Sequence, residues 1–277
     1  MGIPKIILQT YKDYGSIPDH WKLSQQAIKD ILIPLGWTYV FTDDVDNRRF
    51  IEYHFPDLLH IYDSWPHNIQ RVDMFRIAWL LIYGGVYIDM DLIIQRDITP
   101  LFNSKSDLYL VNSGNIGSVI TNSFLAAKPG NVILRQYLYH MQDPLPWYAY
   151  GKHLTVMCST GPLKFTSIVK SSKQVYSVLP SKLFMPCSAC DVNCIVPSDA
   201  YLKPVEGKSW CEIDTHVYNY FFCHWRMIVI VIVVIILVLI LLLWYYFSRP
   251  RCVLRPLRQR RMQITPSYYR CNLYNIE

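Results

Sequence analysis

Residues 68–91 read NIQRVDMFRIAWLLIYGGVYIDMD, and the rest of the fold is expected to be organised around this stretch. Its first half has apolar side chains at three- and four-residue steps, the spacing of a buried helical stripe: Phe75, Trp79, Ile82 and Tyr83. Gly84-Gly85 predicts the end of that helix, because glycine adopts the left-handed conformation without a steric penalty. The β-branched and aromatic run VYIDMDLII that follows predicts a buried strand.

Carboxylates occupy alternate positions near the end of the predicted strand. Successive strand residues face opposite ways, so Tyr87, Asp89 and Asp91 are expected on one face, while the residues between them point into the core. Two carboxylates on an apolar strand are costly to desolvate unless a positive charge neutralises them. A hard divalent cation together with a substrate phosphate is a suitable partner. On the preceding helix, Asp73 and Arg76 are three residues apart and therefore share a face.

The combined spacing is more informative than any single motif. A bare Asp-x-Asp occurs by chance about once in a chain of this size. The pattern Asp73-x-x-Arg76, Gly84-Gly85 and Tyr87-x-Asp89-x-Asp91 is far rarer, and it resembles glycosyltransferase family 32, whose sugar-transferase region carries a DXD motif. That family includes yeast-type α-mannosyltransferases and the catalytic subunits that mannosylate inositol phosphoceramide. The resemblance extends over residues 3–225, is strongest over 66–92, and continues through TNSFLAAKPG, STGP and GKSW.

The resemblance implies roles for individual residues. Asp91 would bind Mn²⁺ or Mg²⁺ directly, and Asp89 would hold the ribose and the metal shell. These two aspartates are thus the expected catalytic and metal residues. Asp73 and Arg76 would orient the sugar hydroxyls and phosphate of the donor, Arg76 through the bidentate geometry of its guanidinium. The alternative for this pair is a helix-surface ion pair worth a few tenths of a kcal/mol.

Further donor contacts follow from the same resemblance. Tyr87 would pack on or hydrogen-bond to the nucleotide, and Ser209-Trp210 matches the terminal Ser-Trp of the family. His216 and His224 are additional candidates for imidazole ligands. The chain departs from the family in its first strand, where Leu8 stands in place of histidine and Tyr11 in place of tryptophan.

The fold class predicted for the soluble part is α/β. Strands PKIILQT and TYVFTDD alternate with helices at residues 17–30 and within DNRRFIEYHFP. This order favours a GT-A-like open, mostly parallel sheet flanked by helices, with ligands at the carboxyl ends of the strands. Asp43 and Asp44 are interpreted as loop acids, because adjacent strand residues face opposite ways.

Three later stretches have weaker signals. NSKSDLYLVNSGN suggests a turn and an edge strand, and NVILRQYLYHMQ an amphipathic helix with Val132 among its apolar residues. The aromatic stretch LPWYAYGKH suits a wall for a sugar acceptor, but ordinary core is the favoured interpretation.

A membrane span is predicted near the C-terminus. Residues 227–247, MIVIVIVVIILVLILLLWYYF, carry no charge, and about 20 residues are enough to cross the ~30 Å hydrocarbon core. Trp244, Tyr245 and Tyr246 lie where an aromatic belt belongs. The predicted organisation is therefore a GT-A-like domain over 1–226, a transmembrane helix over 227–247 and a basic tail over 248–277.

Charge is concentrated in that tail. It holds seven arginines and one glutamate, which accounts for the whole net charge of +6. Beside a membrane span, such a tail indicates retention on the cytosolic face rather than nucleic-acid binding. The start of the sequence has no charged-then-apolar signal region, so the orientation of the domain stays open. A single-pass protein of the secretory pathway, of Golgi or ER type, is expected.

The cysteines leave three alternatives. Cys187, Cys190 and Cys194, with Cys211 and Cys223 nearby, are ranked first as disulfides, then as free thiols, and last as a zinc site.

These expectations converge on a membrane-anchored, metal-dependent, retaining glycosyltransferase. It would move a hexose, mannose being favoured, from a nucleotide-sugar donor to a lipid or glycan acceptor. The alternative is a catalytically inactive, membrane-anchored protein that binds a nucleotide sugar or a glycan. A phosphatase of the Asp-x-Asp type is disfavoured, because its nucleophile belongs on an early first strand.

Overall fold

The computed structural model describes residues 2–103, 106–113, 119–188, 190–191, 193–207 and 210–249. The strands are β1 (Ile6–Thr10), β2 (Thr38–Thr42), β3 (Gly85–Ile88), β4 (Leu92–Ile94), β5 (Leu108–Asn112), β6 (Ile120–Ala127), β7 (Ser177–Leu179) and β8 (Leu202–Pro204). The helices are α1 (Asp19–Ile31), α2 (Asp44–His54), α3 (Leu59–Ser64), α4 (Asn68–Tyr83), α5 (Val132–His140), α6 (Gly151–Ser159), α7 (Pro162–Ser171), α8 (Ser181–Phe184) and α9 (Ile213–Ser248). Short 3₁₀ turns cover Ile33–Leu35, Pro56–Leu58 and Thr99–Asn103.

A mixed sheet forms the centre of the first part of the chain. Its strand order is β2-β1-β3-β6-β5-β7, and β4 pairs with β8 in a separate two-stranded ribbon. Strand β1 is parallel to β2 and β3, and β5 is parallel to β7, while β6 runs antiparallel to both β3 and β5. The mostly parallel α/β architecture expected from the sequence is therefore confirmed.

Both faces of the sheet are covered. Alternate strand residues belong to two different hydrophobic clusters, as the two-residue period of a strand requires. Leu8 and Tyr87 pack with α4, α5 and α7, whereas Ile7, Val86 and Ile88 pack against α1 and the β4–β8 ribbon. The middle strands of the sheet are thus buried on both faces.

Helix α4 ends where the glycines predicted, but Tyr83 of the predicted buried stripe is 44% exposed. The helix ends at Tyr83, and Gly84 and Gly85 have φ values of 67° and 96°. A Cβ on Gly84 would lie 2.6 Å from the Pro129 ring, and one on Gly85 would collide with the Ile6 carbonyl oxygen. Glycine is therefore required here for its backbone conformation and also for the close approach of β1.

Three details of the fold correct the sequence interpretation. Strand β5 is not an edge strand, because it pairs with β6 on one side and β7 on the other. Asp43 is not a loop acid: it is the N-cap of α2, and its carboxylate accepts hydrogen bonds from the Val45 and Asp46 amides. Asp44 is the first residue of that helix. In α5, Val132 is exposed and Ile133 is buried in its place.

The described residues divide into two compact units, the first ending at Asn219 and the second beginning at Tyr220. The second unit consists of the later part of α9 up to Arg249 and includes the apolar stretch 227–247. By length and composition, α9 is a helix that could cross a membrane. Its aliphatic side chains are exposed along the whole stretch, as for a helix that faces lipid.

Candidate active site

The two motif aspartates lie on a tight turn between β3 and β4. The sequence pattern predicted one continuous strand through Asp91, but the strand ends at Ile88. The amide of Leu92 donates to the Asp89 carbonyl over 3.1 Å and closes the turn. After the turn, Leu92 leaves the central sheet and pairs with Pro204 in the ribbon. Asp89 and Asp91 are therefore placed together by a turn and not by strand alternation.

Both aspartates face a cavity of about 480 Å³ at the carboxyl ends of β1 and β3, a size typical of small-molecule sites. Its wall combines cationic, aromatic and carboxylate groups. The lining residues are Thr10, Tyr11, Lys12, Trp21, Pro66, His67, Asn68, Ile69, Val72, Arg76, Tyr87, Asp89, Met90, Asp91, Lys152 and Trp210.

Asp73 lies beneath this cavity and does not line it. Its side chain is only about 3% exposed, and its carboxylate lies 3.3 Å from the Arg76 guanidinium. The Asn122 side-chain amide donates to one carboxylate oxygen, and the Thr160 hydroxyl donates to the other, each over 2.9 Å. Burial raises the pKa of Asp73 to about 7, although the Arg76 guanidinium opposes that rise.

Arg76 connects Asp73 to the motif turn. Its guanidinium lies 3.3 Å from the Asp73 carboxylate and 3.2 Å from that of Asp89, and it donates to the Asn122 carbonyl over 2.8 Å. The guanidinium also stacks over the Tyr87 ring at 4.4 Å from the centroid. The buried Nε atom lacks a hydrogen-bond partner among the described residues. The Asp73–Arg76 pair is therefore a buried network and not the surface ion pair of the alternative interpretation.

Tyr87 directs its hydroxyl at the motif. The hydroxyl donates to an Asp89 carboxylate oxygen over 2.5 Å, while the ring is buried in the core. Asp89 thus receives one hydrogen bond from Tyr87 and one ion pair from Arg76. Its side chain keeps 28% of its surface exposed toward the cavity.

The carboxyls of the turn have elevated pKa values. Burial raises the pKa of Asp89, and Arg76 and Tyr87 offset part of that rise. Burial and the neighbouring Asp89 charge raise the pKa of Asp91 to about 7. A pair of carboxylates that resists ionisation in the free protein is a pair that a cation would stabilise.

Residues 205–207, from the later part of the chain, pack against the motif turn. The Val205 amide donates to the Asp91 carbonyl over 2.8 Å, and the Trp21 indole donates to the Glu206 carbonyl over 2.8 Å. A Cβ on Gly207 would lie 2.9 Å from the Asp91 Cβ and would collide with its carboxylate. Residues 205–207 are therefore pressed against the motif, and Gly207 permits that contact.

Of the other residues that the sequence predicted for the site, one lines the cavity. Trp210 lines the cavity and stacks on His153, with centroids 5.7 Å apart. Ser209 lies outside the described residues. His216 is exposed on α9 and is not among the lining residues, and the His224 ring stacks on Tyr220 within the same helix.

Leu8 and Tyr11, the two residues that depart from the family pattern, differ in whether they reach the cavity. Leu8 is wholly buried in the core and has no surface in the cavity. Tyr11 lines the cavity and meets the Trp21 ring edge-on at 5.3 Å.

Sequence reasoning missed three contributors. Asn122 and Thr160 hold Asp73, and Lys152 lines the cavity while pairing with Glu212 over 2.7 Å. A signal for the first two was present, because Asn122 lies in TNSF and Thr160 in STGP, both weak parts of the family resemblance. Their role becomes readable only when the fold brings both to Asp73.

Known protein families and individual proteins resemble this chain in sequence. Residues 18–108 match the family model for the glycosyltransferase sugar-binding region containing a DXD motif. Inositol phosphoceramide mannosyltransferase 3 of Schizosaccharomyces pombe is 34% identical over 233 residues, covering 81% of this chain and 60% of that protein. Mannosyl phosphorylinositol ceramide synthase SUR1 of Saccharomyces cerevisiae is 33% identical over 172 residues, covering 62% and 43% respectively.

Among solved structures, the PaToxG glycosyltransferase aligns with a TM-score of 0.46 and 16% identity, covering 61% of this chain and 69% of that one. The chain spans less than two thirds of the length of the two yeast relatives. The matched segment contains the motif turn, Arg76 and most of the cavity wall. The sequence comparisons therefore relate this chain to glycosyltransferases whose sugar-binding region contains a DXD motif.

Proposed function

We propose that this chain transfers a hexose, with mannose favoured, from a nucleotide sugar to a lipid acceptor at a membrane. The observation that carries the proposal is the Asp89–Asp91 turn, which faces a cavity of substrate size with Arg76 and Lys152 in its wall. The cavity thus offers carboxylates for a metal and cations for phosphate. A donor that contains both a diphosphate and a sugar uses all of these groups.

Asp89 and Asp91 have the donor chemistry that Mn²⁺ or Mg²⁺ requires, namely hard carboxylate oxygens. Their raised pKa values are consistent with a place for a cation. Within the described residues, no cluster of three or more His, Cys, Asp or Glu side chains could hold a metal ion, so oxygens from the donor phosphates and water would complete the shell. When bound, the ion would stabilise the charge that develops on the leaving diphosphate.

The protein's own groups would bind and orient the donor. Arg76 and Lys152, which line the cavity, would pair with the phosphates of the donor. Tyr11, Trp21 and Trp210 provide aromatic surface for the base or the sugar ring. Asp73 would act through Arg76, by fixing the guanidinium against Asp89. Retention of the anomeric configuration is the outcome implied by the family resemblance.

The acceptor class follows from the relatives. The names of the yeast proteins specify inositol phosphoceramide or mannosyl phosphorylinositol ceramide, so an inositol-bearing sphingolipid is the acceptor to test first. An apolar span at 227–247 would keep the domain beside such a lipid.

The same proposal includes a lumenal domain in the secretory pathway. Cys187 and Cys194 form a disulfide, which favours an oxidising compartment. The seven arginines after the span favour a cytosolic tail, which gives the same orientation. Proteolysis of sealed microsomes tests it: the domain is expected to be protected, and digestion without detergent would refute this orientation.

The activity test uses the full chain in detergent with Mn²⁺, inositol phosphoceramide and a panel of nucleotide sugars. Sugar transferred to extracted lipid is measured, and the product anomer is identified by NMR. Asp91→Asn is expected to lose activity, whereas Asp199→Asn, at an exposed aspartate away from the cavity, is expected to retain it. Donor binding without transfer to any acceptor would favour the inactive binding protein instead.

A further inference from the structure

An uncharged loop between α5 and α6 exposes large aromatic side chains. This aromatic loop, residues 145–150 with sequence LPWYAY, leaves 94% of Trp147 and 86% of Tyr150 exposed, and Tyr148 is also more than half exposed. The interpretation of this stretch as ordinary core is therefore wrong. Scattered apolar side chains are normal on a surface, but a contiguous aromatic group without charge usually marks an interaction site.

The loop is held firmly at its C-terminal end. The Tyr218 hydroxyl donates to the Tyr150 carbonyl over 3.4 Å, and the His153 amide donates to the Asp214 carboxylate over 2.7 Å. The His153 ring also stacks on Tyr218, with centroids 5.4 Å apart. These contacts tie the end of the loop to the first turns of α9.

The residues that follow these turns in α9 are of the types found at a membrane interface. Tyr220, Phe221 and Trp225 are exposed in α9 just before the apolar stretch begins at Met227. Only one residue separates Tyr218 from Tyr220, so the residue that contacts the end of the aromatic loop is adjacent in sequence to this aromatic group. Tryptophan and tyrosine are the side chains enriched at membrane–water interfaces, because each has an apolar ring and a polar group.

We propose that the aromatic loop inserts into the interfacial layer of the same bilayer that holds the apolar stretch, with Trp147 as its main anchor. The proposal depends on the membrane anchoring that belongs to the proposed function, but not on the catalytic activity. Because Lys152 lines the cavity and follows Tyr150 by two residues, the inserted loop would form the side of the cavity rim that faces the lipid. A lipid acceptor would then reach the cavity along this loop.

The test measures tryptophan fluorescence of the full chain in phosphatidylcholine nanodiscs, with or without lipids brominated near the headgroup end of the acyl chains. Subtracting the emission of Trp147→Phe from that of the parent isolates Trp147. We expect brominated lipid to lower that emission at least twofold, and the soluble quencher acrylamide to have little effect. Trp147→Phe is expected to fold, because the side chain is exposed and stays aromatic.

Two further variants serve as the negative and the positive control for quenching by brominated lipid. Trp65→Phe isolates a tryptophan that is distant in sequence from the loop and from α9, and its emission is expected to be insensitive to brominated lipid. Trp244→Phe isolates a residue of the apolar stretch, which must be quenched if the span is inserted. Quenching of Trp244 with Trp147 quenched only by acrylamide would overturn the loop proposal alone, and would favour a water-facing sugar surface. Absence of quenching at both residues would overturn the membrane anchoring and the loop proposal together.

Discussion

The Asp73–Arg76 network makes a quantitative prediction about stability. Replacing Arg76 by methionine leaves the buried Asp73 carboxylate without its cation and removes the ion pair to Asp89. At 3.3 Å and an effective dielectric constant of about 20, one such pair is worth about 5 kcal/mol before desolvation. Breaking a buried pair by removing one partner costs about 3–5 kcal/mol in practice. For a domain of this size, that cost lowers Tm by about 6–20 °C.

Asp73→Asn is expected to cost less, about 1–3 kcal/mol. The amide keeps part of the hydrogen bonding to Asn122 and Thr160, and Arg76 retains Asp89 as a partner. In the double variant, the two costs should fall short of their sum by about 1–3 kcal/mol, because the residues share one contact.

The assay is denaturant unfolding of the full chain in detergent at pH 8, followed by fluorescence and circular dichroism. The chain contains a matched control, since Asp19 and Lys22 form an ion pair with the same three-residue spacing on exposed helix surface. Lys22→Met should change the free energy of unfolding by less than about 1 kcal/mol. Equal effects of Lys22→Met and Arg76→Met, or strict additivity of Asp73→Asn and Arg76→Met, would refute the buried network.

Three further predictions concern the cavity. Gly207→Ala should weaken Mn²⁺ binding at least tenfold, because the new Cβ displaces the Asp91 carboxylate. In the control variant Gly15→Ala, the new Cβ makes only ordinary contacts, so Mn²⁺ binding should be normal. Calorimetry measures the Mn²⁺ affinity of both variants. Mn²⁺ affinity should fall about tenfold per pH unit below pH 7 and level off above it, because the Asp91 carboxyl has a pKa of about 7 and must lose its proton to bind. Lys152→Ala should raise the KM for the nucleotide sugar about tenfold, since a phosphate partner is lost, while Lys203→Ala, exposed on β8, should leave the KM unchanged in steady-state assays.

Each of these predictions has a contrary result. Normal Mn²⁺ binding by Gly207→Ala would mean that residues 205–207 are free to move away from Asp91. Equal Mn²⁺ affinities at pH 6 and pH 8 would remove Asp91 from the metal shell. An effect of Lys152→Ala on kcat alone would place Lys152 in a step after donor binding.

The sequence was most informative where a structure depends on neighbouring residues. Helix α4 and its glycine stop could be predicted, because side-chain period and backbone conformation are local properties. The turn at Asp89–Asp91 could not, because the strand after it pairs with a remote partner: Leu92 lies opposite Pro204, more than a hundred residues later. The position of β5 inside the sheet likewise depends on the remote strand β7.

The candidate site shows the same division. The spacing in the sequence picked out Asp73, Arg76, Asp89 and Asp91 together. It gave no sign of the hydrogen bond from Thr160 to Asp73, because these two residues are 87 positions apart. The exposure of the Trp147 side chain could not be predicted from the sequence either, because an aromatic residue is equally compatible with a core and with an interface. The cap at Asp43 was local and could have been read from Asp46, three residues later.

The contact between residues 205–207 and the motif turn has a consequence for the order of events during synthesis. Asp91 receives its backbone partner only when Val205 has been made, and its carboxylate is enclosed only when Gly207 is in place. Just 19 residues then separate Gly207 from the apolar stretch that begins at Met227. Under the proposed function, we therefore expect a nascent chain to complete the turn at Asp89 and Asp91 at nearly the same stage at which residues 227–247 reach the bilayer.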